Sequence, residues 1–133
     1  MIELTGAALS LEQFAEVVAG GARVVLSAAA RERVAAARAV IERAVSSGSA
    51  VYGVNTGFGN LANVRIADAD LETLQERLVL SHAAGVGEPL PDPAVRGMLL
   101  LRANTLAKGY SGVRPLLIDG LLALLNMDLL PEV

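Results

Sequence analysis

The chain has no cysteine and no tryptophan, and among its 133 residues there are two tyrosines, two phenylalanines and one histidine. Without cysteine there is no disulfide, no thiolate metal site and no cysteine nucleophile, and the composition suits a reducing compartment, so a cytoplasmic location is expected. With a single histidine, a metal site or a catalytic triad is set aside as well, and no metal is expected. An excess of one charge is also missing. The 11 basic and 14 acidic residues are mixed along the chain, for a net charge of -3. No basic stripe attracts phosphate backbones, so nucleic acid is not an expected partner. The most apolar stretch, Pro115 to Leu130, is interrupted by Asp119, Asn126 and Asp128, and it is shorter than the roughly 20 residues of a membrane span. The opening Met1-Ile2-Glu3-Leu4-Thr5 lacks the basic start and apolar run of a signal peptide. Neither membrane insertion nor secretion is expected.

Hydrophobic residues make up 53% of the chain although aromatics reach only 3%, so the apolar bulk is alanine, valine and leucine. That is the composition of helix cores, and the length suits a single domain, residues 1–133, of mainly α class with a few short strands. Helices this apolar in so short a chain imply surface that a partner chain, or more of the same chain, covers.

Ser10-Leu11-Glu12-Gln13 reads as a capping box opening a first helix that stops at Gly20-Gly21. Arg23 to Leu26 is a short β-prone run. Ser27 then caps a long helix to about Ser47, closed by Gly48, with Val34, Ala37, Ile41 and Val45 on one stripe. Asp68 or Asp70 is expected to cap a helix that carries Leu71, Leu74, Leu78 and Val79 and ends at Gly85. Asp92-Pro93 marks the start of a helix to Lys108, and Ser111 the start of a last one to about Asn126. Glu12, Asp68, Asp70 and Asp92 find employment in helix first turns and receive no catalytic role.

Between the second and third helices, Ser49 to Val64 carries no charge, three glycines and three asparagines. No helix survives that composition. A tyrosine and a phenylalanine set among such glycines suggest a loop built to place a side chain, though an ordinary turn whose aromatics dock on the core explains the composition as well. The glycines at 53, 57 and 59 match neither the dinucleotide fingerprint nor the P-loop. As a base, Tyr52 meets the objection that a phenol ordinarily titrates near pH ~10. Neighbouring cations or hydrogen bonds would have to lower that value, and those helpers need not lie in this chain. His82 read by itself is a helix-end residue satisfied by one hydrogen bond.

Four segments in register, Tyr52-Gly53-Val54-Asn55-Thr56-Gly57-Phe58-Gly59, Leu80-Ser81-His82-Ala83-Ala84-Gly85, Leu101-Arg102-Ala103-Asn104 and Gly109-Tyr110-Ser111-Gly112-Val113-Arg114, resemble the N-terminal region of histidine ammonia-lyases. The resemblance covers the whole chain and is strongest from residue 51 onward. It implies the helical N-terminal domain of an ammonia-lyase-like fold with a Gly-rich loop. It further implies homotetramers that remove ammonia from an aromatic amino acid with no externally supplied cofactor, using a methylidene-imidazolone group that the enzyme makes from its own Ala-Ser-Gly. By the same resemblance Tyr52 takes the proton from the substrate's β-carbon, and its glycine neighbours serve as hinges of a closing loop. His82 meets the substrate imidazole, and Gly59 lies near the same pocket. Ser81-His82 points to L-histidine, converted to urocanate and ammonia, rather than to tyrosine or phenylalanine. No Ala-Ser-Gly occurs in the chain. The expectation is therefore of a piece truncated before that segment and inactive alone. A related tyrosine or phenylalanine ammonia-lyase, a non-catalytic helical binding or assembly module, and a short form that associates with a full-length enzyme are the alternatives.

Overall fold

A computed structural model describes residues 1–133, apart from the side chain of Leu61. The chain order is β1 (Ile2–Leu4), α1 (Leu11–Val18), β2 (Val24–Leu26), α2 (Ala28–Ser46), α3 (Leu71–His82), α4 (Asp92–Ala107) and α5 (Pro115–Asn126), with short 3-10 turns at Gly59–Leu61 and Asp68–Asp70. The mainly α class with short strands is what the composition predicts. None of the helices among the described residues is long and apolar enough to cross a membrane.

The helix boundaries follow from single residues. At α1 the Ser10 hydroxyl accepts from the Gln13 amide while the Gln13 side chain accepts from the Ser10 amide, the reciprocal box read in the sequence. The Ser27 hydroxyl accepts from the Ala30 amide at 3.1 Å and so starts α2. Other starts differ from expectation. α5 begins at Pro115 rather than Ser111, because the residue before a proline is pushed out of the helical region, and Arg114 is extended at φ -68°, ψ 138°. α4 begins one residue early, at Asp92, with Pro91 as its cap, so Asp92 contributes first-turn charge instead of a capping bond. Neither Asp68 nor Asp70 caps α3 through its side chain. Instead Asp68 lies 3.4 Å from the Arg65 guanidinium.

The described residues gather into two compact units, one formed by Met1–Ala39 with Glu88–Val133, the other by Val40–Gly87. The first unit holds the main core. β1 and β2 pair in parallel, Ile2 with Val24 and Leu4 with Leu26, joined by α1 because parallel strands need a crossover. The outer edge of β2 is completed by a side chain: the Asn126 carboxamide accepts from the Val24 N–H and donates to the Val24 carbonyl, both at 2.8 Å. α4 turns Val95, Leu99, Leu100, Ala103 and Leu106 inward against Leu4, Val17, Val24, Val34, Ile118 and Leu122. Each such fully buried large side chain contributes roughly 1.5–3 kcal/mol. Gly97 lets α1 approach α4, since a Cβ there would stand 3.0 Å from the Phe14 ring. The outer face of α5 is a different matter. An open apolar groove of about 520 Å³ runs along Arg114, Leu116, Leu117, Gly120, Leu121 and Leu124.

Candidate active site

Within the second unit, the chain leaves α2 through Gly48, whose positive φ of 74° is the ordinary helix-ending geometry. The uncharged segment that follows folds as a loop held by its own polar groups. Asn55 and Thr56 are buried. Thr56 pairs with Arg65 in an isolated antiparallel bridge, and the Gly57 amide donates to the Val64 carbonyl at 3.0 Å. Tyr52 is 64% exposed, with its ring edge-on to Phe58 at 6.1 Å and 74°. The phenol is thus presented outward, on a backbone whose next residue, Gly53, takes a φ of 73° that side-chain-bearing residues seldom adopt. Gly59 also has positive φ, at 56°, and no atom lies within 4 Å of where its Cβ would be. Backbone conformation favours glycine there, and the space beside it is open.

His82 is the last residue of α3 and is exposed. Its Nδ1 lies 2.8 Å from the Leu78 carbonyl, and the Ser81 hydroxyl donates to that same carbonyl at 2.8 Å. A carbonyl only accepts, so in this contact the ring donates from Nδ1 and turns its Nε2 outward. The structure thus sets Tyr52, Gly59 and His82 in the same compact unit. It brings Tyr52 against Phe58, and the Gln75 side chain of α3 donates to the Gly53 carbonyl at 3.4 Å, tying the loop to the helix that ends in His82. Asn55, named in the sequence only as part of a motif, and Gln75 received no role there. The available signal was the asparagine content of the loop, since asparagine side chains bond nearby backbone in turns.

Over residues 9–133 the chain matches the aromatic amino acid lyase family. It belongs to that family. It is 56% identical over 130 residues to the histidine ammonia-lyase of Anaeromyxobacter sp. (strain K), an alignment covering 98% of this chain and 26% of that protein. To the histidine ammonia-lyase of Deinococcus radiodurans it is 58% identical over 125 residues, covering 94% of this chain and 24% of that one. Among solved structures, ergothionase of Treponema denticola, an ergothioneine-degrading enzyme, superposes with a TM-score of 0.93 at 34% identity, covering 98% of this chain and 26% of that one. The histidine ammonia-lyase of Trypanosoma cruzi does so with a TM-score of 0.83 at 40% identity, covering 94% and 24%. The helical architecture is that of these lyases. The chain spans about a quarter of the length of the relatives it matches.

Proposed function

We propose that the chain is the N-terminal domain of a histidine ammonia-lyase, that the whole enzyme converts L-histidine to urocanate and ammonia, and that Tyr52 is the base for the β-proton. The observation that carries the reading is the 56% identity to a histidine ammonia-lyase along nearly the whole chain. The loop geometry supports the role of Tyr52, since a base that works on a bound amino acid must stand clear of the core on a defined backbone. His82 is the group we assign to the substrate imidazole. With Nδ1–H held by Leu78, its Nε2 accepts a hydrogen bond from a ring N–H. An aromatic ring without a donor would leave that acceptor unpaired. Gly59 gives the substrate an open approach. In the reaction the Cβ proton goes to the ionised Tyr52 oxygen, the C–H electron pair forms a Cα=Cβ double bond, and the Cα–N bond breaks with its electrons leaving on ammonia.

The family's methylidene-imidazolone supplies the electrophile that makes the amino group a leaving group. The chain has no Ala-Ser-Gly from which to form it, so these residues bind and deprotonate, and the isolated 133-residue chain is expected to form no urocanate. Homotetrameric assembly and a cytoplasmic location belong to the same proposal. The enzyme needs no metal and no cofactor from outside.

The test is urocanate formation from L-histidine by the intact protein, followed by ultraviolet absorbance, with Tyr52→Phe alongside. Loss of a general base is expected to lower kcat by about 10²–10⁴-fold. Near-normal turnover in the variant ends the Tyr52 assignment. Turnover of L-tyrosine or L-phenylalanine in place of L-histidine ends the substrate assignment; tyrosine and phenylalanine aminomutases share this fold at 31% and 29% identity.

A further inference from the structure

The exposure of Tyr52 raises the question of what fixes it. Its ring meets that of Phe58 in a T-shaped contact. That contact does not define a backbone. Three residues further on, Asn55 is completely buried although its side chain is polar. Its Oδ1 accepts from the Val51 N–H at 2.7 Å and its Nδ2 donates to the Ser49 carbonyl at 2.8 Å. Its own N–H donates to the Val51 carbonyl at 3.2 Å, and its carbonyl accepts from the Ile66 N–H at 3.0 Å. These bonds tie both ends of the turn 51–55, and Tyr52 is the turn's second residue.

We propose that Asn55 is a positioning residue for Tyr52: its buried carboxamide, bonded to Val51 N–H on one side and Ser49 C=O on the other, holds the turn that presents the phenol. The inference rests on the reading of Tyr52 as the base. The requirement is for one acceptor and one donor side by side in a plane. Leucine has the shape and neither group, glutamine is a methylene too long, and an ionised aspartate would set a negative oxygen against the Ser49 carbonyl. Misplacement of a reacting group by ~1 Å costs about a hundredfold in rate, so a turn that loosens should show in kcat.

The experiment uses the intact protein with 3-fluorotyrosine placed at position 52 and Asn55 replaced by Ala or Asp. Burial pushes the introduced carboxyl's pKa upward. Protonated, it donates to Ser49 and accepts from Val51 as the amide does. Ionised, it does not. The Asp variant is therefore expected to give the native fluorine resonance at low pH and a shifted or split one once the carboxyl ionises, with unchanged far-ultraviolet circular dichroism. The Ala variant, and the Asp variant once its carboxyl is ionised, should lose about a hundredfold in kcat with KM for the amino acid nearly unchanged. A native resonance and near-native kcat in the folded Asp variant at a pH above the titration of its introduced carboxyl would overturn the proposal. So would global unfolding of that variant at the pH where the resonance moves, since Asn55 would then serve stability alone. If the Ala variant does not fold, the Asp variant decides. If Tyr52→Phe retains turnover, the base assignment falls, whereas the fluorine spectra still decide whether Asn55 sets the turn.

Discussion

His82 illustrates how one hydrogen bond gives a side chain a direction. With the ring's Nδ1 on the Leu78 carbonyl at 2.8 Å, the selection we propose for His82 would reside in Nε2, and the ring itself is exposed. His82→Leu is therefore expected to leave the unfolding midpoint in urea nearly unchanged and to lower kcat/KM for L-histidine by about 10–100-fold, a loss of 1.4–2.7 kcal/mol in transition-state binding. Unfolding of the variant with selectivity intact would return His82 to a structural role. Tyr52 and His82 were legible as candidates because each stands in a motif that resembles histidine ammonia-lyases, Tyr52 also as an aromatic among glycines. Asn55 was not. Nothing in its spacing announces that it is buried, and its partners Ser49 and Val51 accept and donate through backbone atoms that every residue possesses.

The helices were readable where a side chain makes the boundary, as Ser10 and Ser27 do, and less so where backbone sterics decide, as at Pro115. β1 and its pairing were not readable at all, because Ile2–Leu4 has only three residues and becomes a strand through a partner about twenty residues later. The outer edge of β2 depends on a still more distant group. Asn126, on the last turn of α5, supplies to Val24 the acceptor and donor that a third strand would have offered. Asn126→Ala leaves that N–H and carbonyl part-buried without their partner. The expected cost is about 1–3 kcal/mol in urea unfolding. A change within about 0.5 kcal/mol would mean that water replaces the carboxamide.

Across the chain as a whole, pH acts through a pair that joins α2 to α5: the Arg31 guanidinium donates to both oxygens of Asp119 at 3.0 and 2.5 Å. That hydrogen bond holds the Asp119 carboxyl below its ordinary value of 3.8. A carboxyl depressed by folding contributes stability above its unfolded pKa, and the contribution disappears as pH falls through the lower folded value. Asp119→Asn should therefore be less stable than the parent at neutral pH, by under ~1 kcal/mol for so exposed a pair, and the two should converge below about pH 4. A difference that persists in acid would assign the effect to packing. The division into two units escapes the sequence because one boundary falls after Ala39, inside α2, where the helical pattern runs on without a break. That division has a consequence for biosynthesis. The unit Val40–Gly87 is continuous in the chain, so the contacts within it can form once residue 87 has left the ribosome, whereas the other unit waits for Asn126 to reach Val24 across 102 positions. The Tyr52 loop can thus be finished while β2 still lacks its edge partner.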